Sequence, residues 1–148
     1  MSIDTAEITA YLDRYARSLS DFDAEAAAGL WSIPGMIVDE TFSGVLDSRE
    51  AMAQGLEQSY PVYRKLGLAS VGYDLLGEDH LTEGFVMVRV RWDFFDADGA
   101  RLTDSVAHYL LRREDEGLRA TVCVQTDDVE KLQALAAEKG VDLFAQEE

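Results

Sequence analysis

Residues 83–95 and 101–113 form two long runs of extended character, with Asp98-Gly99 between them. In the first run Val86, Val88, Val90, Trp92 and Phe94 fall on one face, and Arg89, Arg91 and Asp93 on the other. A period of two is that of a strand, and Asp-Gly between two such runs predicts a hairpin. Strands commonly run about five or six residues. Strands about twice that length in a small sheet coil strongly and wrap whatever packs on them. That geometry suits a pocket between sheet and helices.

What precedes these runs is helical. Ile8, Leu12, Tyr15 and Leu19 share one helix face, and Asp4 with Glu7 predicts a capping box. After a break at Ser20-Asp21-Phe22, an alanine-rich helix runs from Asp23 to about Leu30. Pro34-Gly35 predicts a turn, and Met36 to Glu40 a short strand with Ile37 and Asp39 on one face. Ser43-Gly44 is a turn signal before a short return at Val45-Leu46. Asp47 with Glu50 predicts the start of a third helix carrying Met52, Leu56, Tyr60 and Tyr63. Pro61 should kink or split it near Tyr60, and Gly67 ends it.

Beyond Gly67 the pattern becomes strand-like. Ala69 to Leu76 is a strand, Gly77-Glu78-Asp79-His80 a turn, and Glu114 to Gly117 another turn before a last strand ending at Gln125. Asp127 and Glu130 predict the cap of a C-terminal helix with Leu132, Leu135 and Ala136, stopped by Gly140. Helices, a short hairpin, a helix and a long meander make an α+β order in one domain over residues 1–148, not alternating βαβ units.

Composition narrows the function. Twenty-nine acidic against thirteen basic residues give a net charge of −16, a field that repels nucleic acid and anionic membrane surfaces. No apolar run approaches the roughly 18 residues a membrane span needs, and the N-terminus lacks a basic, then apolar, leader; the expected location is the cytoplasm. Cys123 is the single cysteine, so neither an intrachain disulfide nor a thiolate zinc cluster can form, and its apolar strand predicts a buried thiol. Asp96-Ala97-Asp98-Gly99 lacks the later ligands of a calcium loop, and His80 and His108 are not spaced as a metal pair. There is no dinucleotide fingerprint, Walker loop or nucleophile elbow, and no cofactor is expected.

Asp13 to Leu19, then Asp23, then Leu30-Trp31, resemble the opening of ketosteroid isomerases and their SnoaL-like relatives. The resemblance implies a cone-shaped α+β fold: N-terminal helices packed into a strongly curved antiparallel sheet, here with an extra C-terminal helix. It implies a hydrophobic pocket and a homodimer paired through the outer sheet face. The apolar row from Val86 to Phe94, which needs cover, points to the same pairing. Carried over residue by residue, the helix-one tyrosine is Tyr15, which donates a hydrogen bond to a developing enolate. The proton-shuttling aspartate of the first strand is Asp39. The third group, an acid on a late strand, falls on Ala107 in Ala107-His108-Tyr109. Losing such a donor costs on the order of 100- to 1,000-fold in rate, so steroid isomerisation is disfavoured unless Ser105 or Tyr109, on the same face, substitutes.

Arg91-Trp92-Asp93 resembles the Arg-x-Asp pair of limonene-epoxide hydrolases, which share this fold. Were that face to line a cavity, Arg91 and Asp93 would hold a water for epoxide opening. Each residue also has an ordinary reading. Tyr15 on an apolar helix face packs as a core tyrosine, Asp39 caps a loop, and Arg91 with Asp93 forms an exposed ion pair. Three functions stay open: proton transfer on a small hydrophobic ligand by Tyr15 and Asp39, a non-catalytic ligand-binding or scaffold module, and epoxide-hydrolase-like chemistry. Trp31, Tyr60, Tyr63, Ser105, Ala107 and Tyr109 are the expected pocket lining.

Overall fold

The computed structural model describes residues 3–40, 43–58 and 60–140. Helix α1 (Thr5–Ser20) starts as its capping signal predicts, with the Asp4 carboxylate accepting the Glu7 N–H at 2.8 Å. Its buried side carries Ile8, Tyr11, Leu12 and Tyr15. Helix α2 (Ala24–Ala28) is capped by Asp23. Strands β1 (Trp31–Val38) and β2 (Ser43–Leu46) form the short hairpin, and α3 (Arg49–Glu57) and α4 (Tyr60–Lys65) follow. The predicted third helix is thus split beside Pro61, whose ring cannot continue the hydrogen-bond ladder of the preceding turn. The meander comprises β3 (Ser70–Thr82), β4 (Phe85–Phe95), β5 (Arg101–Glu114) and β6 (Gly117–Gln125), and α5 (Asp128–Lys139) ends at Gly140, which has φ 68°.

The six strands form one sheet in the order β2-β1-β6-β5-β4-β3. Every neighbouring pair is antiparallel except β1 and β6, which run parallel and join the start of the sheet to its end. Register shifts interrupt four of the five pairings. Each bulge adds local bend and twist, and the sheet curls around α1.

Several local expectations are corrected. Pro34-Gly35 is not a turn: β1 runs through it, with the register to β6 shifting between Trp31 and Met36. Ser43-Gly44 lies inside β2, paired with Val38 and Ile37. Ser48, not Asp47, caps α3, its hydroxyl accepting the Ala51 N–H at 3.0 Å. The polar stretch 77–80 is strand, held by backbone pairing to β4 rather than by burial. Asp127 precedes α5, but its carboxylate accepts the Val106 N–H of β5 at 2.8 Å instead of capping the helix.

The apolar row of β4 needs no second molecule. Val86, Val88 and Val90 are fully buried and Trp92 and Phe94 nearly so, in one core with Ile8, Leu12 and Tyr15 of α1. Pairing between copies therefore rests on the resemblance alone. Helix α5 packs Leu135 and Ala136 against Leu66, with Val62 and Leu102 beside them. Among the described residues no helix is long and apolar enough to cross a membrane.

By parity the alternate residues of β4 face outward, and there they meet opposite charges. Arg91 pairs with Asp74 and with Asp93 (3.2 Å), Arg101 with Asp93 (2.8 Å) and Asp104, and Lys131 of α5 with Asp104 (2.9 Å). The Lys131 hydrogen bond holds the Asp104 carboxyl below its ordinary value of 3.8. A depressed folded value contributes stability above that ordinary value and loses it as the pH falls through the folded one. The urea midpoint of the wild type is therefore expected to fall more steeply below pH 3.8 than that of Asp104→Asn. At neutral pH the two should differ by about 1 kcal/mol or less, because the pair is partly exposed. Parallel acid limbs would remove the Asp104–Lys131 pair from the fold's acid sensitivity.

Candidate functional site

The interior of the curled sheet is filled by aromatic rings. Trp31 opens β1, Tyr15 comes from the second half of α1, and Trp92 and Tyr109 project from adjacent strands onto the buried face. The Tyr15 ring centroid lies 5.5 Å from Trp92 and 5.7 Å from Tyr109. The Trp31 indole N–H donates to the Tyr15 hydroxyl at 3.1 Å, and that of Trp92 to Tyr109 at 3.0 Å. Tyr11 donates to the Leu30 carbonyl at 2.7 Å. Burial pushes the Tyr15 and Tyr109 phenols far above their ordinary range, and the Cys123 sulfur adds to it. Both stay protonated at neutral pH. Ser105 and Ala107 share this face, opposite Trp92 and Val90, and both are buried.

The structure thus brings Tyr15, Trp31, Ser105, Ala107 and Tyr109 to one interior, packed and with little access from outside. Tyr60 is buried too, edge-on to Phe22 with its ring centroid 5.3 Å away, and its hydroxyl has no hydrogen-bond partner among the described residues. Asp39 sits one residue beyond the end of β1, half-buried. Arg91 and Asp93 lie in the outward ion ladder, on the face opposite the aromatic interior.

An apolar cleft lies at one end of the cone, where β1, β2, α3, α4, β6 and α5 meet. It is a cleft of about 640 Å³, walled by Ile37, Leu46, Leu56, Val62, Tyr63 and Leu132. Gly44, Ala51 and Gly55 widen it, and Gln54, Gln58 and Gln125 are its side-chain amides. Tyr63 stacks on Phe94, centroids 5.5 Å apart and planes 19° apart. Among the described residues the lining contains no charged side chain, and neither Tyr15 nor Asp39 belongs to it. Of the expected lining residues, Tyr63 alone reaches this cleft.

The glutamines were missed in the sequence. Gln54 on α3 and Gln58, its C-cap, stand four apart and so share a helix face, and Gln125 shares the face of buried Cys123 by period two. Those spacings were the available signal.

A second cleft, of about 620 Å³, is charged, with Arg49, Arg112 and Arg119 facing Glu114, Asp115 and Glu116. Burial alone would raise the Glu114 carboxyl, but the fully buried Ser32 hydroxyl and Arg112 hold it below its ordinary value. These charges largely satisfy one another: Arg112 meets Glu114 at 2.9 Å and Arg119 meets Glu116 at 2.6 Å.

A family model described as NTF2-like protein (DUF6841) matches residues 6–128. An NTF2-like protein with a cystatin-like fold from Novosphingobium aromaticivorans is 22% identical, the match covering 97% of this chain and 90% of that one with a TM-score of 0.63. Aln2 from a Streptomyces species is 20% identical over 90% of this chain and 99% of its own, with a TM-score of 0.66. A ketosteroid isomerase-like protein from Erwinia carotovora atroseptica is 13% identical over 82% and 93%, with a TM-score of 0.61. At these identities the likeness is one of fold. No curated protein matches the chain.

Proposed function

Because this chain belongs to the NTF2-like (DUF6841) family, a cone fold able to hold small molecules, we propose that it binds a small, uncharged, largely apolar ligand in the 640 Å³ cleft. The uncharged lining carries this reading. Small-molecule sites commonly measure about 300–1,000 Å³ and are mostly apolar with a few convergent polar groups. Six apolar side chains and three neutral amides fit that description. A carboxylate or phosphate would find no cation among the described lining residues, within a chain of net charge −16.

The described lining residues also include no carboxylate, histidine or thiol, which favours binding without turnover over proton transfer. One placement supports the isomerase-type reading as the second. Asp39 follows Val38, whose register partner Val124 immediately precedes the lining residue Gln125. A base at Asp39 would stand near the cleft's edge. Its partner Tyr15 would have to reach the ligand from inside the aromatic cluster, where it is 5% exposed.

Thermal shift against neutral terpenoids, steroids and polycyclic aromatics tests the binding reading. A ligand at 100 times its Kd should raise the melting temperature by about 5–10 °C. Gly55→Phe should abolish that shift. A Cβ at Gly55 makes ordinary contact with Leu46 at 3.4 Å, while the added ring enters the cleft. Asp39→Asn should keep the shift, and wild type should leave the bound ligand unchanged by mass spectrometry. Turnover lost in Asp39→Asn would instead establish the isomerase-type reading. Shifts equal in wild type and Gly55→Phe would move binding out of this cleft.

A further inference from the structure

We infer that the ligand presents an amide edge, a carbonyl beside an N–H, to Gln125; this rests on the cleft being the binding site. Gln125 is the last residue of β6, and its register partner on β5 is Ala107. On that side the neighbour offers only a methyl group, and on the β1 side the adjoining residue is Asp39, which follows Val38, the register partner of Val124. The side chain is half-buried, lines the cleft, and makes no hydrogen bond to any described residue. The amide is open to water, and a ligand that fills the cleft displaces that water, at a cost unless it pairs with the amide itself.

The kind of group at issue narrows what that something is. A carboxamide carries an acceptor oxygen and an NH₂ donor side by side. A lactam, carboxamide or urea edge matches both at once, through two antiparallel hydrogen bonds between neutral groups. A ketone or lactone accepts from the NH₂ and leaves the glutamine oxygen unpaired. A carboxylate opposes an acceptor with an acceptor and brings a charge that nothing in the lining offsets. Gln54 on α3 and Gln58 at its C-cap repeat the amide chemistry on that wall as exposed side chains. Tyr63, stacked on Phe94, supplies a flat apolar surface for the rest of such a molecule.

The experiment uses three probes of one shape: a phenyl-substituted δ-lactam, the matching δ-lactone and the matching cyclohexanone. Each is titrated into the ¹⁵N-labelled full chain, following backbone and glutamine side-chain NH₂ signals. In wild type the lactam should bind about tenfold more tightly than the other two, since leaving one half-buried acceptor unpaired costs about that much. The Gln125 side-chain signal should be among those that move. In Gln125→Met the lactam preference should shrink to about twofold or less, while binding of the ketone persists. Gln125→Leu, close in size but without either amide group, should lose the preference as well if the methionine variant folds poorly. Three probes binding wild type equally, with shifts confined to the cleft, would overturn the amide inference and leave the binding site standing. Shifts absent from cleft residues for every probe would overturn both.

Discussion

Trp92→Ala should lower the unfolding free energy by about 3–5 kcal/mol, a large share of the roughly 5–15 kcal/mol that holds a domain of this kind. Trp92 is 3% exposed and its ring meets Tyr15, Tyr73 and Tyr109, with centroids 5.5, 5.8 and 6.2 Å away. Truncation leaves a cavity that three rings from α1, β3 and β5 cannot close together. It also removes the indole N–H that reaches the Tyr109 hydroxyl at 3.0 Å. Trp92→Phe keeps most of the packing but not that bond, and should cost about 1–3 kcal/mol. Guanidinium unfolding of the three proteins gives both numbers. A loss below about 1.5 kcal/mol for the alanine variant would mean the interior is loosely filled. The ligand site would then belong among the aromatic residues instead of at the cone's end.

The fold was legible where local chemistry and burial agree. Asp4 and Glu7 mark the start of α1 because the cap is made within four residues, and Gly140 marks the end of α5 because the left-handed conformation there suits glycine. Val86 to Phe94 alternate because one side of β4 is buried. Legibility failed where only backbone pairing decides. Residues 77–82 of β3 are mostly exposed and have the composition of a turn, yet their register to β4 extends to Thr82 against Phe85. On an edge strand exposed on both faces, the side chains carry little alternation. The parallel pairing of β1 with β6 joins residues 86 to 89 positions apart in sequence, and no local pattern encodes it.

The site was legible in part, for a similar reason. Strand parity grouped Ser105, Ala107 and Tyr109 on one face, and the structure places them in one buried interior with Tyr15 and Trp31. The sequence could not say whether that interior is open, which depends on how far the indoles of Trp31 and Trp92 fill it. Parity also grouped Arg91 with Asp93, but a period of two does not tell which face is inside. The burial of Val90 and Trp92 decides that, and it puts the charges outward. The spacing from Tyr15 to Asp39 matches the isomerases, yet Tyr15 is enclosed by rings and Asp39 stands past the end of β1. Neutral glutamines have no periodic or charge signature, so the three amides emerge only once α3 and β6 are placed around one space.

Gly35→Ala should be the most damaging glycine replacement among those with no conformational strain of their own. A Cβ at Gly35 would lie 2.8 Å from the Met52 Cε, 2.9 Å from the Ser32 carbonyl oxygen and 2.9 Å from the Trp31 ring. The methionine end can swing aside. A backbone oxygen and a fully packed indole cannot, so β1 itself must move, at a cost of about 1–3 kcal/mol. At this chain length that is about 2–4 °C of melting temperature per kcal/mol. The displacement reaches function, because Ile37 and Leu46 of the cleft wall stand on the same hairpin, with Gly35 paired to Leu46. Ligand-induced stabilisation should therefore weaken in Gly35→Ala beyond what the lower starting stability explains. Gly84→Ala, where an added Cβ meets no atom within 4 Å, is the control and should change stability by about 0.5 kcal/mol or less. If the two variants melt alike, the close contact at Gly35 is not setting the position of β1. The shape of the cleft must then be fixed by α3 and α4 instead.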